Sequence, residues 1–207
     1  MKLFLTSQGW EKNLKIKEEF LKLLNKKTSK VVLFLVTTAT KKDKDWKYVK
    51  FHIKELKKIG INEKNIKVFS LNKKVKPSNL RSVDVIYVCG GNTFHYLYKI
   101  RTTGLDKEIK KLVKKGVVYF GISAGSIVAG PRIDIASIGV TVPGDKNVFG
   151  LENLNGLRLI NTIIYPHYSK QEESAIKRFE EENKCKVFRL TDRQALVVRN
   201  KIKRIIK

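Results

Sequence analysis

Cysteine is nearly absent from this chain: Cys89 and Cys185 are the only two in 207 residues. They lie far apart and form no CxxC pair, which excludes a disulfide framework and a ribbon-type zinc site. Two reduced thiols in a cytoplasmic protein are expected instead. Histidine is scarce as well, with three residues, and no cluster of metal-ligating side chains is visible, so no metal and no cofactor is expected. Long apolar runs are missing. None approaches the ~20 residues of a membrane span, and the run in "MKLFLTSQGW" is far too short for the core of a signal peptide. No membrane partner is expected. The phosphate-binding signatures GxxxxGK[ST] and GxGxxG are absent. Acidic residues are few, 19 against 44 Lys plus Arg, for a net charge of +25. A field of that sign attracts nucleic acid and acidic surfaces. The lysines are nevertheless spread over the whole chain, often as pairs such as Lys26-Lys27 and Lys114-Lys115. No basic stripe carries interleaved aromatics for base stacking. The expectation is a solvated basic surface, with nucleic acid a partner only through non-specific charge.

What is present is an alternation of strand and helix patterns. Lys2–Thr6, Val31–Val36, Ile66–Leu71, Asp84–Val88 and Val117–Ile122 read as apolar or β-branched strands. Glu11–Leu24 reads as a helix, with Leu14, Phe20, Leu21 and Leu24 forming its stripe. Trp46–Ile59 reads as a second helix, closed by Gly60. Phe94–Ile100 and Leu105–Lys114 also look helical. Such alternation predicts an α/β fold, a mostly parallel sheet with helices on both faces, whose active site lies at the carboxyl ends of the strands. Further on, Leu159–Tyr165 reads as a strand, Gln171–Glu182 as a helix, and Lys186–Leu190 and Ala195–Val198 as short strands. The terminal "KIKRIIK" reads as an edge strand whose lysines discourage aggregation. No repeat or composition shift divides the chain, so residues 1–207 are expected to form one domain.

The stretch "VVYFGISAGSIVAG" carries the chemistry. Gly121-Ile122-Ser123-Ala124-Gly125 fits G-x-S-x-G, in which a serine sits on a tight strand-to-helix turn and projects above the sheet edge. The N–H of Ala124, opening the following helix, is aimed at the same place and can stabilise an oxyanion. A small-residue turn of this kind also suits phosphate binding or plain close packing. A serine nucleophile needs a base. His52 lies in a lysine-rich helical pattern and reads as a solvated or packed residue. His95 follows the Gly90-Gly91-Asn92 turn and reads equally as a site or helix residue. His167, in "IIYPHYS", follows an apolar strand and Pro166, at the same sheet edge as Ser123, and is the favoured base. Gly90-Gly91 ends another strand; the Gly91 N–H is a candidate second oxyanion donor, with Asn92 a candidate helix cap.

"LTSQG" near Thr6, "GGNTF" at Gly90, "GISAGS" at Gly121, "YPHY" at Tyr165 and "LTDRQALVV" near Asp192 together resemble the aspartyl dipeptidase (peptidase E) family of serine peptidases. Cyanophycinases are similar at a greater distance. The resemblance runs over nearly the whole chain. It implies a three-layer α/β/α fold like the class I glutamine amidotransferases, with serine in place of their cysteine. It also implies a Ser-His-acid triad with Ser123 as nucleophile, His167 as base, and Gly91 and Ala124 as oxyanion donors. For the acid, Asp134 and Asp192 compete. Asp192 is favoured, because the helix after the histidine's strand gives a crossover that returns the chain to its neighbourhood, and a turn between paired strands is rigid. The family pattern also puts an acid there.

Two departures from that pattern concern specificity. The nucleophile is followed by Ala124-Gly125-Ser126-Ile127 rather than "AGAN", and Ile138 stands where the dipeptidases have an acidic residue, with Asp134 and Asp145 displaced from it. The reading is therefore a serine peptidase acting on small peptides, with N-terminal aspartyl dipeptides one candidate class. Asn92, Thr93 and Arg132 are candidate substrate contacts, and Arg132 and Arg193 are each able to grip a carboxylate with a bidentate fork. The alternative is an inactive hydrolase scaffold that binds polyanions through its basic surface. The oligomeric state, monomer or homodimer, is left open.

Overall fold

The computed structural model describes every residue except positions 40, 142 and 201. Five strands, β1 (Lys2–Thr6), β2 (Leu33–Thr37), β3 (Ile66–Ser70), β4 (Val85–Val88) and β5 (Val118–Ile122), pair in parallel. Between them run α1 (Leu14–Leu24), α2 (Trp46–Lys58), α3 (Thr93–Thr103) and α4 (Leu105–Lys114), and α5 (Ala124–Val128) follows β5 directly. Then come β6 (Ile163–Tyr165), α6 (Glu173–Asn183), β7 (Val187–Arg189), β8 (Ala195–Arg199) and β9 (Ile202–Ile206). The main sheet has the order β3-β2-β4-β5-β1-β8-β9. Its last two strands are antiparallel, β8 to β1 and β9 to β8. Strand β9 is the edge strand foreseen in "KIKRIIK", whose first residue, Lys201, lies outside the described residues.

The strands of the sheet centre are buried on both faces, as continuous apolar runs require. Register does the rest. Phe4 stands opposite Phe120, and Phe120 opposite Tyr87, so the three rings stack at 5.2 and 4.7 Å. Phe20 of α1 meets Phe4 and Phe120 edge-on, and the Tyr87 hydroxyl reaches His52 Nδ1 of α2 at 3.2 Å. Helices α1 and α2 therefore cover this face. On the other face Tyr96 of α3 donates to Val36 O, and Tyr119 donates to Gly125 O of α5 at 2.7 Å. The result is three layers, as parallel right-handed crossovers in two directions demand.

Three details differ from the sequence reading. Helix α1 starts at Leu14, where the Asn13 side chain caps Lys15 N, and Leu14 is 62% exposed. Its buried stripe is Ile16, Phe20, Leu23 and Leu24. Strand β6 is shorter than Leu159–Tyr165, because Leu157 N and Leu159 N are taken by Val128 O and Ala129 O at the end of α5. That pairing holds the segment against α5 and away from any ladder. Finally, β6 and β7 form a separate parallel pair, while β8 crosses to the main sheet beside β1. The chain around Asp192 is thus a link between two sheets and not a turn between paired strands.

The two glycines of the serine corner are packing requirements. A Cβ on Gly121 would lie 2.6 Å from Gly125 O, and one on Gly125 would lie 2.4 Å from Val88 O. Gly125→Ala should cost about 3 kcal/mol, since backbone on the other side cannot yield as a side chain does. A lowered urea midpoint with unchanged slope would show it; an unchanged midpoint would mean that α5 can move off β4.

Candidate active site

Strands β4, β5 and β1 are neighbours, and their carboxyl ends supply Gly90-Gly91, Ser123 and Ser7 to one edge of the sheet. Ser123 has φ +49° and ψ −113°, a strained backbone for a residue with a side chain, which costs about 1–3 kcal/mol and persists only where the surroundings impose it. They do so here. Ser123 N donates to Thr6 O at 3.0 Å. The buried Ser126 hydroxyl is shared between Thr6 O and Gly121 O at 2.7 and 3.0 Å, and Thr6 Oγ1 also reaches Gly121 O. Ala124 is the first residue of α5, where a backbone N–H has no intrahelical partner.

The Gly90-Gly91 turn runs past the serine. A Cβ on Gly90 would stand 3.4 Å from Ser123 Cβ. Gly91 has φ +146°, and its Cβ would press on the Tyr96 ring at 3.1 Å. Only glycine fits there without strain.

His167 faces Ser123. Its Nε2 lies 2.9 Å from Ser123 Oγ, and its Nδ1 lies 2.8 Å from Asp192 Oδ1. The β6–β7 ladder is what aligns them. Leu190 N donates to Tyr165 O and Tyr168 N to Leu190 O, so the chain leaving β7 passes directly beside the histidine. Asp192 then sits in a closed turn in which Gln194 N donates to Thr191 O and Thr191 N to Gln194 Oε1. Asn13, at the start of α1, ties this turn down through Arg193 O.

Ser7 was not singled out by sequence reasoning beyond its place in "LTSQG". It is fully buried. Its hydroxyl donates to Asp192 Oδ1 at 2.7 Å and accepts from His167 N at 2.7 Å. His167 has φ +58°, and this bond is what holds its left-handed backbone. Lys12 Nζ binds the other oxygen, Oδ2, at 2.8 Å. Burial alone would raise the Asp192 carboxyl, but the hydrogen bonds from Lys12, Ser7 and His167 outweigh it and keep it below the usual carboxylate range. Asp192 is therefore ionised wherever a histidine titrates.

The other candidates go elsewhere. Thr93 is fully buried, and its N–H donates to Asp145 Oδ2 at 2.7 Å. Asn92 spends both ends of its amide, capping His95 N and binding Lys146 O. Both fasten the 145–146 segment to the start of α3 and neither lines the cleft beside Ser123. Arg132 is paired with Asp134 and also binds Asn183 at 2.8 Å, over the Phe179 ring. The carboxylate it grips is the protein's own: both Asp134 oxygens are on Arg132, and the acid beside His167 is Asp192. Arg193 is exposed. His52 is packed on Tyr87, and burial pushes its pKa down to about 4. His95 packs on Phe149. Among the described residues no group of His, Cys, Asp and Glu is placed to hold a metal ion, and no helix is long and apolar enough to cross a membrane.

Residues 3–206 match the model of peptidase family S51. The chain belongs to this family. It is a serine-type peptidase. It is 29% identical over 175 residues to an uncharacterized peptidase of Listeria monocytogenes, covering 83% of each chain. It is 33% identical over 90 residues to peptidase E of a Nostoc species, covering 44% of this chain and 34% of that one. A crystal structure of a Listeria monocytogenes protein assigned to peptidase E superposes with a TM-score of 0.78 at 26% identity, covering 100% of this chain and 98% of the other. A peptidase from an acI-B1 actinobacterium shares the fold, with a TM-score of 0.67 at 16% identity over 96% and 83% of the two chains.

Ser7→Ala should leave the fold intact while removing the tie between His167 N and Asp192. The expected result is a kcat lower by about 10–100-fold with little change in KM, since one buried hydrogen bond to a charged group is worth about 1.5–3 kcal/mol. Steady-state kinetics on a small peptide substrate, with urea unfolding as the control, would check it.

Proposed function

We propose that this S51 peptidase hydrolyses small peptides through a Ser123-His167-Asp192 triad and an acyl-enzyme. The observation that carries the reading is the unbroken run of hydrogen bonds from Ser123 Oγ through the His167 ring to Asp192, at 2.9 and 2.8 Å. In the first half-reaction Ser123 Oγ attacks the scissile carbonyl carbon as His167 Nε2 takes its proton. The oxyanion is received by the N–H groups of Gly91 and Ala124, preorganised donors that strengthen as charge develops. Asp192 holds the imidazole in the needed tautomer and balances the imidazolium. The tetrahedral species collapses when His167 hands the proton to the leaving amine. In the second half-reaction His167 takes a proton from water, which attacks the acyl ester. The peptide acid leaves and Ser123 recovers its proton.

The surface charge of +25 motivates the alternative of a polyanion-binding scaffold, and one experiment separates the two. A fluorophosphonate probe should label the wild type and not Ser123→Ala. Absence of wild-type labelling together with salt-dependent binding of nucleic acid would favour the scaffold.

Asp192→Asn should keep the shape and disfavour the tautomer, with a loss in kcat on the order of 10⁴ as in a well-studied triad. Asp134→Asn should cost far less in kcat. If the two results are exchanged, the acid lies on the loop after α5.

Lys12→Met tests the electrostatics. Removing the ammonium takes away the first of the hydrogen bonds that hold the Asp192 carboxyl down, so the carboxyl should rise toward its usual range. Titration of that carboxyl by NMR should show its midpoint at higher pH in Lys12→Met than in the wild type. An unchanged midpoint would mean that the ammonium does not act on the carboxylate.

A further inference from the structure

A cleft of about 200 Å³ opens beside Ser123 and His167. Its walls are apolar: Ile127, Ala136, Ile138, Pro143 and Tyr165 among them. Among the described residues no lysine or arginine lines it, and its two acidic residues are Asp145 and Glu172. In a chain with 44 basic side chains this is an inversion of the surface charge.

The two carboxylates have different duties. Glu172 is 2% exposed. Its oxygens accept from the Thr141 N–H and hydroxyl, from Val140 N at 3.1 Å, and from the Tyr165 hydroxyl at 3.1 Å. Burial would raise this carboxyl, but those donors hold it below the usual range. Glu172 is saturated and fastens one wall of the cleft. Asp145 is not. Its Oδ2 accepts from Thr93 N, the first N–H of α3, while among the described residues Oδ1 has no hydrogen-bond partner. The positive end of the α3 dipole, where an anionic substrate group would settle, is occupied by this carboxylate. A substrate carboxylate entering the cleft would meet fixed negative charge in an apolar setting, with no cation to offset it.

We propose that the cleft receives an uncharged, apolar N-terminal residue of the peptide, and that Asp145 Oδ1 binds its α-ammonium. The volume, below the ~300–1,000 Å³ of sites for drug-sized ligands, suits one residue. The enzyme is then an aminopeptidase-like hydrolase of short peptides with apolar first residues, in contrast to the aspartyl preference that the family resemblance implies. This proposal rests on Ser123 being the nucleophile.

Four measurements test it, with fluorophosphonate labelling of Ser123 as the separate check on the nucleophile. Leu-p-nitroanilide should be turned over at least 20-fold better in kcat/KM than Asp-p-nitroanilide. N-acetylation of the leucine substrate should lower wild-type kcat/KM at least 20-fold. Asp145→Asn, which keeps an acceptor for Thr93 N, should raise KM for Leu-p-nitroanilide and abolish most of the acetylation penalty. Labelling of the variant should match the wild type. Preference for Asp-p-nitroanilide, or an undiminished acetylation penalty in Asp145→Asn, would overturn the proposal while labelling persisted. Loss of both labelling and turnover in the wild type would overturn it together with the nucleophile assignment.

Discussion

The structure depends on one close approach. The backbone of α5 lies so near the ends of β4 and β5 that Gly125 has no room for a Cβ against Val88 O, and Gly121 none against Gly125 O. That contact removes the slack that a strand-to-helix connection normally has. Ser123, at the corner, is driven into a backbone region that other residues avoid. The hydroxyls of Thr6, Tyr119 and Ser126 bind the same few carbonyls. Each is buried, and each therefore acts where loss of a partner is costly. The strain at Ser123 is offset by this network and by the aromatic stack of Phe4, Phe120 and Tyr87 beneath it.

The histidine and the acid are held by a second, separate device. A two-stranded parallel ladder carries His167 just past the end of one strand and leads to Asp192 from the other. Ser7, from the main sheet, joins the His167 backbone to the Asp192 carboxylate. Rigid elements from both sheets thus meet at one hydroxyl, and the geometry of Ser123, His167 and Asp192 follows from their docking. Lys12 adds a third support from the segment before α1. The same contact exposes the pair's electrostatics to a surface ammonium, the kind of coupling through which a basic surface acts on a site.

Charge on this molecule is layered. Lysines dominate the exterior, while the cleft beside Ser123 carries carboxylates and apolar walls. Net charge governs solubility and encounter, and says little about what a concave site accepts. Arg132 illustrates the difference. Read from sequence it is a free cation near the nucleophile helix; in the fold it is satisfied by Asp134 and Asn183.

The alternation of apolar strands with amphipathic helices, the glycine corner at Ser123 and the strand-end position of His167 were legible in the sequence, because each is a local pattern with a local physical cause: periodicity, the small size of glycine, the stop imposed by Pro166. The position of Asp192 was legible from the crossover after the histidine's strand, although its setting was not. Chain order cannot say whether β8 pairs with β7 or with β1; the sheet decides that, since β1 has an unpaired edge that β8 covers. Ser7, Lys12 and Glu172 were not legible as site residues, and Asp145 was legible only as an acid displaced from the family's acidic position. Their partners lie 185, 180, 31 and 52 positions away in the chain, and a hydroxyl, an ammonium or a carboxylate carries no mark of a partner at that separation. Sequence by itself determined the layers and the place of the glycine corner at Ser123. Tertiary structure decided what surrounds that corner, because burial and pairing of polar groups arise only when distant segments are brought into contact.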